Sequence, residues 1–214
     1  MTSKLAFIAG SLVAFALIAS AQENRPLSPR GSAAVHVLGR YVSTPGKSAP
    51  ALGGADYRGG KWIEISYGRP LKNGRDLWGS SANYGKAALV GTPIWRAGAD
   101  VSTQLKNEVP LVIGGKTFQP GVYTLFIDLK ENKWTFVVSS WPAMEHWDPN
   151  NKTQLWGSYF YTPDKDLLRV PKLETQPHAT EELTWEFLDM SASGGLMALR
   201  WDKILATVPF QFGE

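Results

Sequence analysis

The sequence predicts an all-β protein, an antiparallel β-sandwich or jelly-roll-like barrel of about nine or ten short strands. Three observations carry this. Apolar residues recur at every second position in one segment after another. Glycine, proline and asparagine punctuate those segments at close spacing, and helix-period patterns are nearly absent beyond the N-terminal apolar run.

That run settles the expected compartment. Residues 1–4 form a short cationic start, residues 5–18 are apolar, and Ala19-Ser20-Ala21 is a small-residue cleavage site ahead of Gln22. A secretory signal peptide over 1–21 follows, and with it a periplasmic or secreted mature chain. The run is short and interrupted by Gly10 and Ser11, which disfavours a membrane anchor, and no other stretch is apolar enough to span a bilayer.

In order, residues 22–32 carry Pro26, Pro29 and Gly31 and read as an extended lead-in to a single domain over 33–214. A first strand is expected over 33–42. Residues 43–60, rich in glycine, proline and serine, read as a long mobile loop. Ile63, Ile65 and Tyr67 then alternate with Glu64 and Ser66, the pattern of a half-buried strand that Arg69-Pro70 ends. Residues 71–91 read as an irregular excursion with at most a helical turn. Strands follow at 101–105 and 109–113, with a turn at Gly114-Gly115. The clearest periodicity places Tyr123, Leu125, Ile127 and Leu129 on one face. After a reversal at Glu131-Asn132, Trp134, Phe136 and Val138 return on the same face, completing a hairpin. Residues 140–162 are a long aromatic loop, either a lid or binding surface or a segment folded back over one end of the core. A strand over 166–174 contains Pro171, which implies an edge or a bulge. Two more strand pairs close the chain: Leu183, Trp185 and Phe187 with 196–201, then a separate strand in which Ile204, Ala206, Val208, Phe210 and Phe212 share a face.

Of 214 residues, 193 remain without the signal, enough for one sizeable core. There is no cysteine, so neither a disulfide nor a thiolate site is available; stability rests on burial, to which nine tryptophans contribute. Losing Lys4 leaves 21 Lys+Arg against 19 Asp+Glu, a balance of +2. Such near-neutrality argues against a nucleic-acid binder and gives no basic run for a membrane surface.

Familiar site signatures fail. Gly115-Lys116-Thr117 lacks the earlier glycine and the following helix of a phosphate loop and reads as a hairpin turn; no Gly-x-Ser-x-Gly elbow occurs. His36, His146 and His178 have no metal-ligand spacing, so neither a metal nor a cofactor is implied. The stretch that stands out is 92–100, Thr-Pro-Ile-Trp-Arg-Ala-Gly-Ala-Asp, with Arg69 and Arg75 upstream. Guanidinium forks bind carboxylates and phosphates and stack on rings. The ligand-site candidates are therefore Arg69, Arg75, Trp95, Arg96, Asp100, Trp156, Tyr161 and Arg169, for a small anionic or sugar-like ligand. Internal pairing of these arginines with Asp76, Asp100 or Asp166 is the structural alternative, and it leaves Arg96 tied to a carboxylate with Trp95 buried. A hydrolase using Asp100 or the Glu145, His146 and Asp148 cluster is the alternative function. Trp62, Trp134, Trp185 and Trp201 are expected in the core, and Trp78, Trp95, Trp141, Trp147 and Trp156 at the surface. Oligomeric state is left open.

A series of motifs runs through the chain: Ser28-Pro29, Tyr67-x-Arg69-Pro70, Gly74-Arg75, Trp95-Arg96-x-Gly98-Ala99-Asp100, Gly114-Gly115-Lys116, Pro120-Gly121-x-Tyr123-x-Leu125-Phe126, Trp156-Gly157, Tyr161 and Asp166-x-Leu168-Arg169-Val170. In this it resembles the DUF2911 family of uncharacterised, mostly exported bacterial proteins. The resemblance covers the mature chain in order. Asp100 stands where the family usually has asparagine, and the insertion over 143–153 is longer here. The resemblance implies a compact exported β domain and no particular reaction.

Overall fold

The computed structural model describes residues 27–43, 55–171 and 173–214. The expected signal peptide, residues 22–26 of the lead-in and residues 44–54 of the expected loop lie outside them. Among the described residues twelve strands, all antiparallel where paired, form two facing sheets and a small hairpin, and the sheets do not close into a barrel.

The larger sheet has six strands: β1 (Arg30–Val37), β4 (Lys61–Gly68), β5 (Thr103–Asn107), β8 (Gly121–Asp128), β9 (Thr135–Ser139) and β10 (Asp166–Pro171), in that spatial order. The smaller is ordered β11 (Glu174–Leu188), β12 (Gly194–Phe212), β6 (Leu111–Ile113), β7 (Lys116–Phe118). The alternation that defined the strands now fills the space between sheets. Ile63, Ile65, Leu105, Leu125, Ile127, Phe136 and Val138 from the first meet Leu183, Trp185, Leu199, Trp201, Val208 and Phe210 from the second, all buried. Gly114-Gly115 is the tight turn between β6 and β7. Residues 71–91 hold one short turn, Ser81–Asn83, and a four-residue helix α1 (Lys86–Leu89). Pro171 ends β10 at the sheet edge, where a missing N–H harms no ladder.

Several expectations are corrected. The first strand begins at Arg30 and breaks at Leu38-Gly39, after which β2 (Arg40–Ser43) pairs with β3 (Ala55–Arg58) inside the expected loop. That hairpin is held by ring contacts, Tyr41 on Tyr57 and Tyr57 on His36, which leave no apolar periodicity. The final strands are long, β11 having 15 residues and β12 having 19. The separate strands expected at 196–201 and 204–212 are one strand. Asp202, with φ of 52°, sits at a bulge against Thr180 and shifts the buried positions from Met197, Leu199 and Trp201 to Ala206, Val208 and Phe210. A reversal of parity within one strand resembles a strand break.

The aromatic loop 140–162 folds back over the outer face of the larger sheet. Thr124, Phe126, Val137 and Ser139 point outward there and are nonetheless buried. Ile94, Trp141 and Leu155 cover Phe126 and Val137 in a second, smaller core. The Thr124 hydroxyl donates to Trp141 O, and that of Ser139 to Lys165 O.

Tryptophan placement departs from expectation on both sides. Trp134, Trp185 and Trp201 are core, but Trp62 is half exposed and stacks flat on His36. Trp78, Trp95 and Trp141, expected at the surface, are buried; Trp147 is exposed. Trp95 stacks on Trp201 at 5.9 Å, and the edge of Trp78 meets both. This cluster closes one end of the sandwich.

Candidate functional site

Residues 94–100 occupy the line that β5 vacates. Thr103 pairs with Leu125, and two residues further along β8 the backbones of Trp95 and Ile127 exchange both hydrogen bonds, at 3.1 and 2.9 Å. The pairing fixes Trp95 inward, only 1% exposed, and sends Arg96 the other way. The chain then turns through Ala97 (φ 52°) and Asp100 (φ 64°). Two indoles hold the turn, Trp185 Nε1 donating to Ala97 O at 2.8 Å and Trp95 Nε1 to Gly98 O at 3.2 Å. Asp100 lies in the left-handed region that short polar side chains tolerate best among non-glycine residues. Gly68 at the end of β4 lets the turn dock: a Cβ there would lie 1.9 Å from Ala99 O.

The aromatic loop supplies the opposite wall. Ser102 Oγ lies 2.9 Å from Gly157 O and 3.1 Å from Leu155 O, and Ser158 Oγ donates to Thr92 Oγ1 at 3.0 Å. Between the walls lies the guanidinium of Arg96, 7% exposed. Its Nη1 donates to the backbone oxygen of Asp100 at 2.9 Å, and its Cζ stands 5.5 Å from the Tyr159 ring centroid. Gly157, at φ 63°, makes room, because a Cβ there would sit 2.4 Å from Nη1. Burial pushes the Arg96 pKa down, with Tyr159 and Asp100 acting in opposition. Among the described residues no carboxylate is ion-paired with Arg96, so the expected carboxylate lock is absent.

Arg96 lines a cavity of about 280 Å³ with Arg75, Trp95, Asp100 and Trp156, so five of the eight candidates meet there. Tyr159, Trp201 and Val90 also line it. Arg75 sits with its Cζ 5.6 Å from the Trp201 ring centroid and donates to Leu71 O and Lys72 O. Val90 has φ of 50°, a costly conformation for a β-branched residue, at an exposed position of the rim.

The other three candidates lie outside this cavity. Arg69 pairs with Glu182 at 2.7 Å. Arg169 bonds Asp128 at 2.6 Å and Asp166 at 2.7 Å, and Tyr161 donates to the same Asp166 oxygen at 2.6 Å. Burial, and then the hydrogen bond to Asp166, drives the Tyr161 pKa upward. For Arg169, burial pulls downward, but the bond to Asp166 with the neighbouring Tyr161, Asp166 and Asp128 leaves the pKa raised. Asp76 accepts from Gly79 N instead of from an arginine.

Glu145 and His146 line a different cavity, of about 450 Å³, with Arg30, Ser66 and Gln104. Val101 and Ser102 line that cavity, whereas Asp100 lines the smaller one. Among the described residues no hydrogen bond joins the side chains of Glu145, His146 and Asp148, and Asp148 accepts from Asn150 N. Sequence reasoning missed Tyr159 and Val90. Nothing local marks either, because Tyr159 reaches Arg96 only through the fold-back of the loop.

Fold and site together define a β-sandwich whose loops wall a small cavity lined by tryptophan and arginine. Residues 53–210 match the DUF2911 family, described as a protein of unknown function, and the chain belongs to that family. No curated protein and no solved structure matches.

Proposed function

We propose that the chain is an exported binding module for a small anionic, carbohydrate-like ligand held in the Arg96 cavity. One observation carries this reading: a guanidinium withdrawn from water, without a carboxylate partner among the described residues, on the wall of a cavity. A buried charge of this kind is costly unless something compensates it. A bound carboxylate or phosphate would be that compensation, with Arg75 as a second cation and Trp156 beside them on the cavity lining. The strained Val90 at the rim adds support, since such backbone strain concentrates at ligand sites. Export is favoured by the cationic start, apolar run and small-residue cleavage site of residues 1–21.

Calorimetric titration with glucuronate, galacturonate and inorganic phosphate, against neutral glucose, tests the reading. At least one anion is expected to bind. Arg96→Met removes charge-assisted hydrogen bonds of about 1.5–3 kcal/mol, so Kd should rise about tenfold to a hundredfold. Absence of binding by every anion, or binding unchanged in Arg96→Met, overturns it.

A further inference from the structure

We infer that the cavity ligand is the end of an acidic oligosaccharide whose next rings lie across an exposed aromatic patch of Trp147, Tyr159 and Phe160. The inference rests on the anion-binding reading of the Arg96 cavity. These three residues are 46%, 39% and 41% exposed. Trp147 lies 5.7 Å from Tyr159 and 6.2 Å from Phe160, centroid to centroid, and is within 13° of parallel with Phe160. Tyr159 belongs to both regions, lining the cavity beside Arg96 and bordering the patch, so the two are continuous.

Phe160 supplies the independent observation. It has φ of 65°, a region costly for a bulky side chain, and at that cost it holds an apolar ring in solvent. Trp147 and the Lys152 ammonium cover part of the ring, and the remainder faces solvent as a surface a ligand can cover. The patch is also held in place. Met144 N donates to Leu155 O and closes the segment that carries Trp147, Tyr159 N donates to Trp156 O, and Asn151 Oδ1 accepts from both Thr153 N and Gln154 N. Ring faces carry the negative side of the aromatic quadrupole and suit the C–H face of a pyranose, whose hydroxyl rim stays in water. Lys152 Nζ stands 3.7 Å from the Phe160 ring centroid and provides a cation for the carboxylate of a following acidic ring. The same ammonium donates to Pro149 O at 2.6 Å, which fixes it beside the patch.

The test is a titration series with galacturonate and its di- and trisaccharide, with a neutral glucose trisaccharide as control. Wild type should bind the acidic trisaccharide about tenfold more tightly than the monosaccharide, a gain of one more contact region. Trp147→Ala and Phe160→Gly should each collapse that ratio towards one. Phe160→Gly should do so with a melting temperature equal to or above wild type, because glycine relieves the positive φ, which separates lost contact from lost folding. If the monosaccharide binds and the trisaccharide binds no tighter, the extended site is wrong and the cavity reading survives. If no acidic sugar of any length binds, the inference fails, and the cavity reading fails with it if inorganic phosphate does not bind either. A neutral trisaccharide binding as tightly as the acidic one, or a ratio intact in both variants, overturns the inference.

Discussion

Arg96 and Arg169 stand in regions of nearly the same composition, an arginine with a tyrosine and an aspartate beside it, and the two regions are wired oppositely. At β10, Arg169 spends its fork on Asp128 and Asp166, and Tyr161 completes the set. At the cavity, the aspartate offers only a backbone oxygen, the tyrosine offers its ring, and the more deeply buried guanidinium has no carboxylate paired with it among the described residues. The first arrangement is a closed electrostatic unit that ties the β10 edge to β8. The second is open, with a charge held at a cost for something from outside. Which residues surround an arginine therefore says less than whether their carboxylates reach it.

The largest expected effect probes how tightly the open region is built. Gly157→Ala places a Cβ against the Arg96 fork at positive φ, and should lower stability by about 2–4 kcal/mol, from backbone strain and overpacking together. In the Gly157→Ala, Arg96→Met double variant the loss should shrink, because the shorter side chain can yield. Full additivity in chemical denaturation would mean the two groups do not touch.

Next comes the closed region. Arg169→Met takes the guanidinium from two carboxylates, leaving Asp166, whose side chain is 6% exposed, with the Tyr161 hydroxyl and Asp128 with Lys130 at 3.9 Å. With the arginine itself partly solvated, a loss of about 2 kcal/mol is expected, seen as a fall in Tm of about 4–8 °C. Tyr161→Phe is smaller, about 1 kcal/mol at neutral pH, and carries a pH signature. Because the folded-state pKa of Tyr161 is raised above its ordinary 10.0, its contribution is intact below that value and drains away as pH rises beyond it. Urea denaturation repeated above pH 10 should therefore show a shallower alkaline decline in Tyr161→Phe than in wild type. Parallel declines would remove Tyr161 from the linkage.

Much of the scaffold was legible in the sequence, and the reason is periodicity. The β8–β9 hairpin announced itself through Tyr123, Leu125 and Ile127 against Trp134, Phe136 and Val138, and the face shared by Ala206, Val208 and Phe210 was read correctly. What escaped were events that break or hide a period of two. The Asp202 bulge disguised one long strand as two, and the polar β2–β3 hairpin has no alternation to find. Outward-facing Phe126 and Val137 did carry a signal that the loop folds back, since an exposed sheet face seldom presents such residues, but only in retrospect of their register. The central Trp95 to Asp100 stretch stood out by its chemistry. Its wiring did not, because partners such as Trp185 and Ala97 are 88 residues apart and nothing local joins them.

The distinction between a held-open and a closed arginine is tested most directly by one measurement, the unfolding free energies of Arg96→Met and Arg169→Met determined side by side without ligand. Methionine keeps most of the volume and removes the charge. For Arg96, stability should stay level or rise by about 1 kcal/mol, since a buried charge without a paired carboxylate has been replaced by an apolar chain. For Arg169 it should fall. An Arg96→Met protein destabilised as much as Arg169→Met would contradict the assignment and make Arg96 a structural lock.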